Sequence, residues 1–117
     1  MPSIVRADRI SETEVGPGCL RSVLADPELV GTGAMSLERI TLEPGSRSPE
    51  LTGGEGERFV YVIRGSGTID GSTGAAALAP ESIVWLEDGD RVRLAAGPDG
   101  MQVLVAGAWE RLPASEG

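Results

Sequence analysis

Acid–base and nucleophilic chemistry in this chain must rest on few kinds of side chain, because its 117 residues include no histidine and all ten basic residues are arginine. Without histidine there is no imidazole base, no Ser-His or Cys-His pair and no ordinary histidine-bound zinc, iron or copper site. Without lysine, no side chain can form a Schiff base. The remaining groups are carboxylates, arginines, hydroxyls, one tyrosine (Tyr61) and one cysteine (Cys19).

The composition limits the partners and the compartment. The net charge of -8 argues against nucleic acid and against an anionic membrane surface, since both reward basic patches. No apolar run is long enough to span a bilayer and no signal-peptide pattern is present at the N-terminus, so we expect a cytoplasmic protein. A single cysteine excludes an intramolecular disulfide, and we expect Cys19 to be a small buried residue rather than a nucleophile.

Turn-forming residues divide the chain into short segments. The chain has 17 glycines and 8 prolines, and no long segment shows helical periodicity, which favours an all-β domain. We expect an edge strand or an arm at residues 1–13, and turns at 64–67 and 97–100. Strands every eight to twelve residues or so are typical of a sandwich or a small barrel. The predicted strands cover residues 35–42, 58–63, 82–86, 91–95 and 101–108.

Two segments together resemble a known family. The first runs from Leu42-Glu43-Pro44-Gly45 through a polar loop to the strand that starts at Arg58 and the glycines at 65 and 67. The second comprises residues 82–86, Gly89 and residues 91–94. These segments resemble the two motifs of the cupins, whose fold is an all-β double-stranded β-helix, the cupin jelly-roll barrel. The resemblance implies one domain over 1–117, with an N-terminal arm at 1–33, a barrel core at 34–107 and a short tail at 112–117, and a homodimer.

The resemblance also locates the positions that hold a metal ion in many cupins. There, two histidines, a glutamate and a third histidine are spaced from scaffold glycines, which this chain keeps at 45, 65 and 89. The four ligand positions fall, in order, on Leu51, Gly53, Arg58 and Val92, with Glu57 one step from the third. Leucine, glycine and valine cannot coordinate a metal and arginine repels it, so we expect neither a metal nor another cofactor.

Strand periodicity then predicts what the barrel encloses. If Arg58 points inward, as the family's glutamate does, Val60 points inward too, and Leu51 and Val92 line the same cavity. The result is an apolar cup with one arginine, suited to a small organic ligand that carries a carboxylate, phosphate or enolate oxygen. The alternative is that Arg58 pairs with Glu57, Glu55 or Glu38 and is structural.

Further residues are candidates with competing structural roles. Glu57 and Tyr61 join Arg58 as candidate catalytic groups, although Tyr61 has the opposite strand parity. Trp85 stacks a planar ligand or packs in the core, and Arg39 is a polar group of the cavity or a salt-bridged edge residue. The candidate substrate-binding residues are Arg39, Thr41, Leu51, Val60, Trp85, Val92 and Gln102.

Three functions fit this pattern. The first is a metal-independent enzyme that acts on a small organic molecule as a cyclase, dehydratase or isomerase/epimerase of specialised (natural-product) metabolism. The second is a cupin that binds a small molecule without chemistry. The third is a structural dimer with a filled barrel. An open cup with a carboxylate near Arg58 favours the enzyme, and a filled core favours the structural protein.

Overall fold

Short strands rich in β-branched residues, separated by glycine-containing turns, account for the architecture. The computed structural model describes residues 4, 6–25, 35–52, 58–72, 74–87 and 89–108. Within these residues lie eight strands and one 3-10 helix, and none of them is in an α-helix, which confirms the all-β prediction. The 3-10 helix is Ala7–Arg9, and the strands are β1 Thr13–Gly16, β2 Cys19–Ala25, β3 Met35–Leu42, β4 Leu51–Thr52, β5 Arg58–Gly71, β6 Gly74–Leu78, β7 Ile83–Leu86 and β8 Arg91–Ala108.

The strands pair in an antiparallel arrangement around two long members, β5 and β8. The hydrogen-bonded order is β1-β2-β3-β8-β5-β6, while β4 pairs with β8 and β7 pairs with β5. The two long strands pair with each other over most of their length, from Arg58 opposite Gly107 to Gly71 opposite Val92. Each long strand therefore contributes to both sides of a folded-over sheet, as in a jelly-roll barrel.

Bends in the long strands correct two of the predicted turns. Residues 64–67 and 97–100 do not end strands, because β5 and β8 continue through them. The register instead shifts between Val62 and Arg64 and between Gly65 and Gly67, so the glycines form irregularities inside a bent strand. Gly65 has a positive φ of 80° and lies against the backbone of Gly100, a closeness that only glycine permits.

Alternation along the strands separates an inner face from an outer face. On the inner face, Val62 lies opposite Val103, which lies opposite Ile40, and all three are buried. The neighbouring residues on each strand point to the outer face. The core cluster consists of Cys19, Ile40, Leu42, Val60, Val62, Ile69, Leu78, Leu86, Leu94, Ala96, Met101, Val103 and Val105, with Leu51, Val84 and Val92 packed against it.

Cys19 belongs to this core, opposite Leu42 in the β2–β3 ladder. Its side chain is 0% exposed, as expected for a small buried residue. Burial raises the pKa of the Cys19 thiol, because the interior disfavours the thiolate. The thiol is therefore shielded and protonated, which argues against a nucleophilic role. Among the described residues, no helix has the length and apolar character needed to cross a membrane.

Candidate functional site

The positions that the resemblance assigns to metal ligands lie where β4, β5, β7 and β8 meet. Leu51 of β4 lies directly opposite Val92 of β8, which also lies opposite Gly71 of β5. Leu51 and Val92 are partly buried and pack against the core. We call this region the inner cup and define it by the inner-face residues Leu51, Arg58, Val60, Val84, Leu86 and Val92.

Arg58 is the charged member of the inner cup. It begins β5 and lies opposite Leu86 of β7 on one side and Gly107 of β8 on the other. Its Nη1 donates a hydrogen bond to the backbone oxygen of Thr52, at 3.4 Å, which ties the guanidinium to β4. Gly107, across the ladder from Arg58, is buried. The half-buried guanidinium is thus held at the wall of an otherwise apolar cup.

A second charged feature of the inner face is an ion pair between β2 and β3. Glu38 of β3 lies opposite the buried Val105, and its two carboxylate oxygens accept hydrogen bonds from Nε and Nη2 of Arg21, at 3.1 and 2.6 Å. This fork-to-carboxylate bond raises the pKa of Arg21, although partial burial opposes the shift. The partner of Glu38 among the described residues is therefore Arg21, which sequence reasoning did not single out.

A small opening leads to the inner cup. It has a volume of about 220 Å³ and lies at the edge of the sheet formed by β7, where Trp85 and Asp90 also reach it. Of the described residues of the inner cup, Val84, Leu86 and Val92 line it, whereas Leu51, Arg58 and Val60 do not. A pocket of this size sits below the usual range of about 300–1,000 Å³ for drug-sized ligands, so it suits a small molecule.

The remaining candidate residues lie on the outer face. Tyr61 lies opposite Leu104 and Ile83, one residue out of phase with the buried Val60 and Val62. Trp85 lies opposite Phe59, and their rings stack with centroids 5.7 Å apart and planes at 7°. The Trp85 side chain is 52% exposed, so the expectation that it packs in the core is wrong.

Thr41 and Gln102 also meet on the outer face, as direct partners in the β3–β8 ladder. The Gln102 amide donates a hydrogen bond to Thr41 Oγ1 at 3.0 Å. Both line a surface depression of about 540 Å³ together with Arg64 and Asp99. This depression is larger than the opening to the inner cup, and Thr41 and Gln102 place it on the other side of the sheet from Arg58.

The candidate residues thus fall into two groups separated by the thickness of the sheet. The structure brings together Leu51, Arg58, Val60 and Val92, and it places Arg39, Thr41, Tyr61, Trp85 and Gln102 on the opposite face. Glu57 and Gly53 lie outside the described residues. Arg21 is an addition. It binds Glu38, which the sequence offered as a possible partner of Arg58, and only the register between β2 and β3 reveals this pairing.

The inner cup does not fit the metal ion that the fold implies. The described side chains at the ligand positions are those of Leu51, Arg58 and Val92, and hydrocarbon and guanidinium groups supply no electron pair to a metal. Across the described part of the chain, no group of three or more His, Cys, Asp or Glu residues could hold an ion. The donor set is suited to an anion.

Comparisons with known proteins agree with the topology. No protein-family model and no curated protein sequence matches the chain. Among solved structures, the polyketide cyclase RemF from Streptomyces resistomycificus has a TM-score of 0.80 at 21% identity, over 97% of this chain and 83% of that one. KdgF from Halomonas sp. has a TM-score of 0.79 at 14% identity, over 95% and 96% of the two chains. An RmlC-like cupin from Shewanella frigidimarina has a TM-score of 0.77 at 12% identity, over 95% and 94%.

Proposed function

We propose, from the premise that the chain has the cupin fold, that its inner cup binds a small organic anion without a metal ion and acts on it as an enzyme. The observation that carries this proposal is the position of Arg58. The part-buried guanidinium donates to the Thr52 backbone oxygen and lies across the ladder from the apolar Leu86, at a position that the resemblance assigns to a metal ligand of the family. A planar guanidinium binds a carboxylate or an enolate oxygen through parallel hydrogen bonds, which are strong in a partly dry site.

The chemistry that such a cup supports is electrostatic. Arg58 stabilises negative charge that develops on an oxygen of the ligand, and the apolar wall excludes water that would weaken this interaction. Cyclisation, dehydration and isomerisation or epimerisation proceed through such charge and need no redox centre. The likeness to RemF, named as a polyketide cyclase, supports a cyclase or a related enzyme of natural-product metabolism. The likeness shows the fold, and Arg58 in the inner cup supports the activity.

A general base is the second group that this chemistry requires. Glu57 remains our candidate, since it precedes Arg58 in the sequence. Tyr61 is on the outer face and does not share the cup with Arg58. Glu38 is on the inner face, and its ion pair with Arg21 keeps its carboxylate oriented.

A non-catalytic binding protein is the second candidate, and one observation favours it. Both oxygens of Glu38 already accept hydrogen bonds from Arg21, which lowers the availability of this carboxylate as a base. In this case the cup binds its anion and releases it unchanged. Hydrogen exchange in levulinate distinguishes the two functions. An enzyme should make the hydrogens next to the ketone exchange with D₂O faster than the variant Arg58→Gln does. A binding protein should show no difference between the two.

Benzoate, an apolar ring with one carboxylate, is a suitable probe of the cup. We expect it to shift the amide resonances of Val60, Val84 and Val92 in ¹H–¹⁵N spectra, and to do so equally after treatment with EDTA. Arg58→Gln removes a charge-assisted hydrogen-bonded pair worth about 1.5–3 kcal/mol, so the affinity should fall by about 10- to 100-fold.

The matched control is Arg64→Gln, since Arg64 lies on the same strand but is exposed on the outer face. It should bind benzoate like the wild type. Equal affinity in all three proteins, or shifts confined to the depression around Arg64, would remove Arg58 from the site.

A further inference from the structure

Ser22 and Arg39 form a polar pair on the outer face, away from the inner cup. They are direct partners in the ladder between β2 and β3. The neighbouring pair in this ladder, Arg21 and Ile40, lies on the inner face, where Ile40 is buried in the core. Alternation therefore places Ser22 and Arg39 together on the outer face.

Both residues have a buried polar atom that the described part of the chain leaves unsatisfied. Ser22 is 1% exposed, and neither its Oγ nor Nε of Arg39 has a hydrogen-bond partner among the residues that the structure describes. Nη2 of Arg39 donates to the backbone oxygen of Ala7 at 3.4 Å, a long contact that places the 3-10 helix Ala7–Arg9 over this part of the sheet. Burying unsatisfied polar groups is costly, and the cost is larger for a charged group, so the pair is suited to receive an acceptor.

The described chain supplies no carboxylate to Arg39, although acidic residues outnumber basic ones by 18 to 10. Glu38, its neighbour in sequence, points to the inner face and is bound by Arg21. Asp8, next to Ala7, accepts hydrogen bonds from Arg6 at 3.2 and 2.9 Å. On the outer face, the neighbours of Arg39 include the apolar Leu37 and Leu104. Within the described part of the chain, the groups around Arg39 thus do not neutralise its charge.

We propose that Ser22 Oγ and the Arg39 guanidinium form a second binding site, which takes one oxyanion group, a carboxylate or a phosphate, beneath the 3-10 helix. The oxyanion accepts hydrogen bonds from the serine hydroxyl and from Nε of Arg39, and both donors lose their unsatisfied state. The site is separate from the inner cup, since the sheet lies between them. The anion also joins the segment around Ala7 to β2 and β3, because the same guanidinium contacts both.

Inorganic phosphate, compared with sodium chloride at equal ionic strength, is the probe. Phosphate should raise the thermal midpoint of the wild type by about 2–4 °C at saturating concentration, since a ligand of the folded state stabilises it. In ¹H–¹⁵N spectra, the Arg39 Nε–H, the Ser22 amide and the amides of Ala7–Arg9 should shift together.

Variants distinguish this site from general salt effects. Arg39→Gln should abolish the phosphate response, while the control Arg93→Gln, which removes an exposed arginine on β8, should keep it. Ser22→Ala should raise the midpoint without phosphate, because it removes an unsatisfied buried hydroxyl, and should reduce the shift that phosphate produces. The benzoate response of the inner cup should be unchanged in Ser22→Ala, so the two sites fail or succeed separately.

Several results would overturn the proposal. One is a wild type whose Arg39 Nε–H ignores both phosphate and acetate, and another is Arg39→Gln that responds like the wild type. If the Arg39 Nε–H resonance moves in the variant Asp8→Asn but does not move when phosphate is added, the partner of Arg39 is Asp8 and not an oxyanion. If the Arg39 Nε–H resonance moves with protein concentration, the oxyanion is a carboxylate of a second copy of the chain. That result supports the binding site and identifies the source of its ligand. The wild-type spectra decide the matter even where a variant does not fold.

Discussion

Three arginines in this chain have three different environments. The alternation of side chains along each strand determines the environment of each arginine. Arg58 and Arg21 lie on the inner face, the first in the inner cup and the second bound to Glu38. Arg39, one residue from Glu38, lies on the outer face beside Ser22. A shift of one residue in register would exchange these environments, so the charge distribution depends on register as much as on residue type.

At the same scale, the buried thiol of Cys19 predicts a pH dependence of stability. Burial raises its pKa, so above the ordinary thiol pKa the unfolded chain loses a proton that the folded chain retains. The folded state then binds more protons than the unfolded state, and stability must fall as pH rises through that range. We expect the free energy of unfolding of the wild type, measured in urea between about pH 8 and pH 10, to fall with a slope of at most about 1.4 kcal/mol per pH unit from this group.

Cys19→Ala serves as the control, because it removes the titrating group and leaves a small apolar side chain. It should be less stable at neutral pH and should lack this part of the slope. Identical slopes in the two proteins would show that the thiol does not titrate differently on folding.

The element scale is governed by how β5 and β8 bend. At Gly65 a side chain would meet the backbone oxygen of Gly100, and the positive φ of 80° adds strain for any other residue. At Gly45 the φ is similar, 76°, but nothing lies within 4 Å of the position a side chain would take. Comparing substitutions at the two glycines therefore separates two contributions to the free energy of unfolding. One is the strain of a positive φ, and the other is the steric clash of a side chain with a neighbouring strand.

We expect Gly45→Ala to lower the free energy of unfolding by about 1–2 kcal/mol, the usual cost of a left-handed conformation for a residue with a side chain. Gly65→Ala should cost distinctly more, about 3 kcal/mol or above, because two strands must also move apart. Urea unfolding of both variants gives the comparison. A smaller loss for Gly65→Ala than for Gly45→Ala would contradict the close contact between β5 and β8.

The strands themselves were predictable from their own residues, and the way they join was not. Met35–Leu42 agrees with its predicted bounds, because apolar residues and the following Pro44-Gly45 define it locally. The glycines at 65 and 67 carry the same local pattern as a turn, yet pairing with β8 carries β5 through them. Similarly, a two-residue period groups Val60 with Arg58, but nothing in β2 or β3 alone sets the register that pairs Arg21 with Glu38.

At the scale of the whole molecule, the outer face exposes large apolar side chains to water. Phe59, Ile83 and Trp85 lie together there, and Ile83 and Trp85 are 64% and 52% exposed. Contiguous apolar side chains on a small protein usually mark an interface. We therefore retain the proposal of a homodimer and assign the contact to this face.

Sedimentation equilibrium tests the dimer directly. The wild type should have twice the mass of one chain at micromolar concentration, and Trp85→Glu should have the mass of one chain, since it would bury an unpaired charge in the contact. Ala77→Glu adds the same charge at an exposed position of β6 and should remain dimeric. A monomeric wild type, or a dimer that Trp85→Glu leaves intact, would exclude this face.

The place of β8 in the sheet has a consequence for biosynthesis. This strand pairs with β3, β4 and β5, and it follows all of them in the sequence. A ribosome therefore releases β3 and β5, with their apolar inner residues, before the strand that joins them exists. Because these pairings are distant in sequence, they close late and slowly. Until residues 91–108 emerge, the nascent chain depends on its excess of negative charge to avoid association.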